Sequence, residues 1–128
     1  MKTKKIFTMT IIGILCFSSI VLIASAEEET TVNIDLKTGW NLITIPVENS
    51  YMASSLADEI DGCLSVSRWN TDKQSYESYM VDGPSSFDFE IVDGYGYFVD
   101  VTCDSVLSVS GNPLVNIDVD VLEGVNLL

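Results

Sequence analysis

The order of apolar and polar residues predicts a mostly β domain. Beyond residue 30, apolar residues alternate with polar ones in short runs, as in strands that bury one face. Gly, Pro, Asn and Asp, which favour turns, separate the runs. The alternating runs cover residues 32–36, 42–47, 63–69, 75–81, 95–101 and 106–109. We therefore expect a small antiparallel β-sandwich or barrel-like domain, with one short α-helix.

The helix is predicted between the second and third runs. Met52, Leu56 and Ile60 are spaced four residues apart, so they form one apolar face of a helix, and Gly62 provides the stop. We expect this face to pack on the sheet. The first two runs are separated by Thr38-Gly39 and form either a hairpin or a corner. The third and fourth are separated by a turn, which predicts a hairpin.

Residues 1–26 have the composition of a secretory signal peptide. Three lysines precede an apolar stretch at residues 6–23, and Ala-Ser-Ala at 24–26 is a small-x-small cleavage site. We expect cleavage before Glu27 and export to the cell surface or the medium, so that the membrane is met only during export. The alternative is an uncleaved anchor, because about 18 largely apolar residues nearly span a bilayer.

The charge of the mature chain excludes two classes of partner. The full sequence has 6 basic and 19 acidic residues, a net charge of −13. Three of the basic residues and none of the acidic ones lie in the signal segment, which leaves three against 19, or −16, after cleavage. Such a surface repels nucleic acid and anionic lipid, and we expect neither as a partner.

Two cysteines, Cys63 and Cys103, lie beyond the signal segment. In an exported protein, a pair with no competing partner predicts one disulfide. Closing a loop of about 40 residues would stabilise the domain by roughly 4 kcal/mol in the chain-entropy model. Two reduced, buried cysteines are the alternative.

The residue types that most catalytic sites need are missing from the sequence. There is no histidine, which removes Ser-His and Cys-His pairs and most zinc sites, and no serine lies in a G-x-S-x-G motif. Carboxylate pairs remain, but 19 acidic residues produce such pairs by chance, and a domain of about 80 residues has little room for a deep cleft. We expect no enzyme activity and no cofactor.

Acidic residues near turns are the remaining candidates for a metal site. Asp88, Glu90 and Asp93 lie near a turn, and Asp118 and Asp120 lie at strand spacing. Neither group matches the EF-hand loop. We interpret Asp118 and Asp120 as the solvated face of a strand and predict no metal site, with weak cation binding as the alternative.

The aromatic residues are the best candidates for binding. Trp40, Trp69, Tyr76 and Tyr79 either form an exposed strip that stacks on sugars or fill a thin core. The run at 95–101 places Tyr95, Tyr97, Val99 and Val101 on one face, which fits core packing. The core interpretation is favoured, and Trp40, Trp69, Tyr76 and Tyr79 are retained as candidate ligand contacts.

Two short motifs occur twice in the chain. Val-Asn-Ile-Asp at 32–35 recurs at 115–118, and Gly-Trp-Asn-Leu-Ile at 39–43 recurs as Gly-Val-Asn-Leu-Leu at 124–128. The order is kept, with two more residues between the motifs in the second copy.

This recurrence predicts the domain organisation. One complete module spans 31–111, and residues 112–128 are a linker and the start of a second, truncated repeat. In the alternative, residues 115–121 close the sheet of the first module as an integral strand, and the recurrence is a coincidence.

Several motifs follow one another in a recognisable order. They are GWNLITIP at 39–46, SLADEI at 55–60, Trp69-Asn70, Tyr76, GYGYFV at 94–99 and VSG at 109–111. In this order they resemble a GWNLI-type β repeat module of secreted and cell-surface proteins from archaea, notably methanogens, and from some bacteria. The resemblance implies a spacer or adhesive module beside other extracellular domains, and it includes no catalytic residues.

Together, these features predict a non-enzymatic extracellular structural or interaction module of a cell-surface or secreted protein. Its expected partners are other extracellular domains or cell-surface components. The alternative is a glycan-binding module for adhesion, which would use exposed aromatic side chains.

Overall fold

The structure is a computed structural model that describes residues 28–84 and 87–127. The predicted signal peptide and its cleavage site lie outside the described residues. None of the helices in the described part is long and apolar enough to cross a membrane. In chain order the elements are β1 (Thr30–Leu36), β2 (Gly39–Ile43), α1 (Ala53–Asp58), β3 (Cys63–Asn70), β4 (Ser75–Met80), β5 (Tyr97–Val101) and β6 (Ser105–Gly111).

The strands form two antiparallel sheets. β1 pairs with β6 in a two-stranded sheet, where Ile34 lies opposite Leu107. The second sheet has the order β2-β5-β3-β4, and β3 and β4 form the predicted hairpin. The prediction of a mostly β, sandwich-like domain with one short helix is confirmed, and the two described sheets do not close into a barrel.

The chain changes sheet twice, and the two crossings are joined by hydrogen bonds. Because β1 pairs with β6 and β2 with β5, the β1–β2 connection is a corner and the hairpin alternative is wrong. The Asp104 carboxylate, between β5 and β6, accepts hydrogen bonds from the N–H and the hydroxyl of Thr38, at 2.8 and 3.0 Å. These bonds lower the pKa of Asp104.

One core fills the space between the sheets and the helix. The predicted alternation of β5 is confirmed, because Tyr97, Val99 and Val101 are buried while Phe98 and Asp100 point to the other face. The core also includes Leu56 of α1, and Leu36, Ile45, Val47, Val66, Ile91, Leu107 and Val109.

The helix is shorter than the spacing of its apolar residues predicts. It spans Ala53–Asp58. Leu56 and the flanking Ile60 are both buried, so this part of the predicted apolar face is confirmed, whereas Met52 precedes the helix and has 39% of its surface exposed. The Asp88 carboxylate accepts a hydrogen bond from the N–H of Ser54 at 2.9 Å, which satisfies one free donor of the first turn. Burial raises the pKa of Asp88, but the hydrogen bonds from the hydroxyl and N–H of Ser54 and from the N–H of Phe89 outweigh it, so the pKa is lowered.

The C-terminal segment runs over the module without forming a strand or helix beyond Pro113. Asn112 accepts a hydrogen bond from the N–H of Glu48 at 2.9 Å, and Pro113 forms an isolated bridge with Val47. Residues 115–121 therefore do not form an integral strand of the sheet, contrary to the alternating pattern there.

Candidate functional site

One face of the four-stranded sheet points away from the core and carries large apolar side chains. Strand pairing places Leu42 opposite Phe98 and Trp69 opposite Tyr76. Since side chains alternate along a strand, these residues share the face opposite to Val66 and Val99. We call this surface the aromatic face, and it comprises Trp40, Leu42, Trp69, Tyr76, Met80 and Phe98.

The four rings of the aromatic face form a continuous row across the sheet. The ring centroids of Trp40 and Phe98 are 6.5 Å apart, those of Phe98 and Tyr76 5.8 Å, and those of Tyr76 and Trp69 4.8 Å. The interplanar angles of 85°, 70° and 73° make each contact edge-to-face. Such pairs contribute about 0.5–1.5 kcal/mol each beyond their buried area, so the row is held in place.

Two of the predicted aromatic residues are exposed. Trp40 has 62% of its surface exposed and Tyr76 57%, so the favoured core interpretation is wrong for both. Trp69 is half-buried. Tyr79 lies on the opposite side of β4 and packs against the core, so it is not part of the aromatic face.

A shallow groove lies between the two exposed rings. Its volume is about 380 Å³, and it is lined by Trp40, Tyr76, Phe98, Ser67 and Ser78. The hydroxyls of Ser67 and Ser78 are 2.7 Å apart and hydrogen-bond to each other, so each hydroxyl already has a partner within the groove. The groove is therefore mainly apolar, with two hydroxyls at its base.

The C-terminal segment borders the aromatic face at one end. The indole N–H of Trp69 donates a hydrogen bond to the carbonyl of Val125 at 2.6 Å, and the Val125 N–H donates to the side-chain oxygen of Gln74 at 2.9 Å. Leu127 packs over Gly96: a Cβ atom there would lie 3.3 Å from both Leu127 and Leu42. Gly96 thus leaves room for the two leucines.

The basic side chains of the described region are all paired with carboxylates. Glu77 accepts from Arg68 and Lys73, with shortest distances of 2.6 and 2.7 Å, and these bonds lower its pKa to about 2. Lys37 lies 3.5 Å from Asp104. Because each cation is already neutralised by a neighbour, the described surface offers little attraction to an anionic ligand.

The predicted disulfide is not formed, and both cysteines are free thiols. Cys63 lies opposite Val101 at the start of β3, so it is close in the fold to the turn that holds Cys103. The half-buried Cys63 thiol points to the carbonyl of Ser65, whereas the exposed Cys103 thiol points to that of Asp61. The two thiols have different partners, and burial raises the pKa of Cys63.

Two of the three acidic residues near the turn, Asp88 and Asp93, have structural partners, and the third, Glu90, is exposed. Asp88 bonds the start of α1, and the Asp93 carboxylate accepts a hydrogen bond from the side chain of Asn49 at 2.8 Å. Asp118 and Asp120 are exposed, but they lie in irregular backbone and not on a strand, which corrects that part of the prediction. Within the described ranges, no group of three or more potential ligand side chains is placed to hold a metal ion.

Phe98 and Leu42 belong to the candidate site, although the sequence did not single them out as ligand contacts. Phe98 connects Trp40 to Tyr76, and Leu42 has 57% of its surface exposed beside it. The alternation in β5 could have identified Phe98. It lies between Tyr97 and Val99 in the strand, so its side chain points to the face opposite to the one that they bury.

Comparisons of the chain with protein-family models, with curated proteins and with solved structures gave no match. The geometry of the aromatic face and the sequence are therefore the basis for assigning a function.

Proposed function

We propose that this chain is a non-enzymatic extracellular interaction module that binds another protein surface through its aromatic face. The observation that carries the proposal is the row of rings flanked by exposed Leu42 and Met80. Contiguous exposed apolar surface, rich in aromatic side chains, is typical of protein interfaces. The export that the signal segment predicts gives the extracellular location.

The ring geometry favours a protein partner over a sugar chain. Binding a sugar by stacking requires ring faces that lie open to the ligand, whereas neighbouring rings in this row meet at 70–85° and present alternating faces and edges. Such a rugged surface suits interdigitating side chains. Trp and Tyr are also the residue types that most often dominate the energy of protein interfaces.

The charge distribution supports a partner held by apolar contact. The mature chain has a predicted net charge of −16, so long-range repulsion by its surface opposes acidic partners. The side chains of the aromatic face are uncharged, with Asp100 the acidic neighbour on the outer side of β5. Affinity would therefore come from desolvation of the rings, and salt would strengthen binding to an acidic cell surface by screening.

The proposal is tested by measuring how the purified mature chain binds to cell-surface protein from its own source. Trp40→Ala and Tyr76→Ala should each weaken binding at least tenfold, since truncation of a central aromatic contact costs about 2 kcal/mol or more. Val106→Ala is the matched control, because Val106 is similarly exposed on β6 of the other sheet. Circular dichroism checks that each variant is folded.

Equal binding by Trp40→Ala and the parent chain would refute the aromatic face as the interface. Treating the cell-surface fraction with protease should abolish binding, because the proposed partner is a protein.

A glycan-binding function is the second candidate, supported by the groove between Trp40 and Tyr76 with the Ser67 and Ser78 hydroxyls at its base. In that case binding survives protease treatment of the surface fraction. Neutral polysaccharides embedded in a native gel would then retard the parent chain but not Trp40→Ala.

A further inference from the structure

The two recurring sequence motifs have the same local structure around their asparagines. The Asn41 side chain accepts from the N–H of Lys37 and donates to the carbonyls of Lys37 and Gly39, at 2.9, 2.8 and 3.1 Å. Asn126 makes the same three bonds to Leu122 and Gly124, at 3.1, 2.8 and 3.1 Å.

The glycines of the two motifs also match. Gly39 has a φ of 96° and Gly124 a φ of 112°, a region that only glycine adopts readily. In the first copy this corner turns the chain from β1 into β2. In the second copy the residues that precede Gly124 are irregular. The corner around Gly124 nevertheless has the same local geometry as the corner around Gly39.

The second corner lies on the end of the aromatic face. Val125, which corresponds to Trp40, is held by Trp69 and Gln74 through its backbone. Leu127, which corresponds to Leu42, packs over Gly96 and beside Leu42 itself. A module that continued from Leu127 would therefore begin directly on this face.

We infer that the partner of the aromatic face is a second copy of the module, whose opening is residues 115–127 and whose body packs over Leu42 and Trp40. This inference rests on the proposed function and names its partner. The outer residues of β2 belong to the aromatic face, so the contact joins the aromatic face of one copy to the corresponding β2 residues of the next.

Two acidic copies can meet at this contact because the residues that form it are uncharged. Successive copies repel through their acidic surfaces, but the residues that meet are Leu127, Leu42 and the neighbouring rings, which are uncharged. Linkage in one chain also gives a high effective concentration, so a modest apolar contact is sufficient to hold neighbouring copies together.

The test uses the mature chain extended after Leu128 by a copy of residues 44–111, which completes a second module. Incorporated 5-fluorotryptophan reports solvent exposure through the difference in ¹⁹F shift between H₂O and D₂O. The Trp40 signal is identified by Trp40→Phe. We expect its solvent effect to fall at least twofold in the extended chain relative to the mature chain.

Two variants of the extended chain test the contact. Leu42→Ser should restore the exposure of Trp40, whereas Val106→Ser, at a similarly exposed position on β6, should leave Trp40 covered. An unchanged Trp40 signal in an extended chain with two folded modules would overturn the inference. An unfolded second module would overturn it as well, since residues 115–127 would then not serve as an opening.

These outcomes are separable from those of the proposed function. If Trp40 stays exposed in the extended chain while Trp40→Ala still abolishes binding to cell-surface protein, the aromatic face is an interface but its partner is not a second copy.

Discussion

Glu77 lies directly opposite Arg68 in the β3–β4 pair, and its carboxylate is 2.6 Å from the guanidinium. Lys73, in the connecting turn, approaches the other carboxylate oxygen at 2.7 Å. The Arg68 guanidinium also lies 4.6 Å from the centre of the Phe89 ring, which links the hairpin to the loop before β5. The Glu77 carboxylate thus connects the hairpin to its turn, and Arg68 extends this contact to the core at Phe89.

The ion pair predicts a pH dependence of stability. The pKa of Glu77 is lowered from 4.5 to about 2, so its contribution to the free energy of unfolding is complete above pH 4.5 and is lost as the pH falls towards 2. Because Glu77 and Lys73 are partly exposed, we expect Glu77→Gln to cost about 1 kcal/mol at pH 7. Urea unfolding of both proteins at pH 7, 4 and 2.5 measures the difference, which should shrink at each step.

Glu123→Gln is the control for this series, since Glu123 is exposed in the C-terminal segment. It should change the free energy of unfolding little at any of these pH values. A Glu77→Gln effect that stayed constant from pH 7 to 2.5 would show that the charge of Glu77 is not the cause.

The two corner asparagines predict effects of different size for the same substitution. Asn41→Ala removes the side chain that joins β1 to β2 within the folded module, and it should lower the free energy of unfolding by about 1–3 kcal/mol. Asn126→Ala removes the same bonds in a segment without strands, and global stability should change by less than about 0.5 kcal/mol. Thermal and urea unfolding measure both, and equal losses would contradict this account.

Core packing predicts a large cost for Leu107→Ala. Leu107 is 0% exposed and faces Ile34 across the two-stranded sheet, so the substitution should lower the free energy of unfolding by about 2–5 kcal/mol. Leu64→Ala is the control, because Leu64 has 46% of its surface exposed on β3 and should cost under about 1 kcal/mol. A similar cost for both would mean that the two-stranded sheet does not close the core.

Much of the fold could be predicted from local sequence, because each strand carries its own alternation. The strand pairs could not, since the choice between a hairpin and a corner at Gly39 depends on whether β6 or β2 lies beside β1. That choice is settled by burial of residues far apart in the sequence, such as Ile34 and Leu107. Local turn signals do not contain this information.

The candidate site was predicted only in part for a related reason. Apolar side chains of β2 point to both sides of the sheet: Trp40 and Leu42 to one, Ile43 to the other. Alternation separates these two sets but does not say which of them faces the core. The cysteine pair shows the same limit, because the sequence places Cys63 and Cys103 in adjacent elements but does not orient their thiols.

The contacts of the C-terminal segment predict different effects on stability for two truncations of the chain. Ending the chain at Leu114 removes residues whose contacts with the module are confined to its surface, so the melting temperature should change by only a few degrees. Ending it at Gly111 also removes the acceptor of the Glu48 N–H and the bridge between Pro113 and Val47, and should cost about 1 kcal/mol more.

Hydrogen exchange on the chain from residue 27 to residue 128 provides the independent measurement. Backbone amides at 115–121 make no strand pairing and should exchange fast, whereas those of β5, paired on both sides by β2 and β3, should be the slowest. Protection at 115–121 equal to that of β5, or aggregation of the chain that ends at Leu114, would mean that this segment closes a sheet edge. We expect neither, because the segment contacts the module through the backbone of Val125 and the side chain of Leu127 and leaves the ladder of β2-β5-β3-β4 intact.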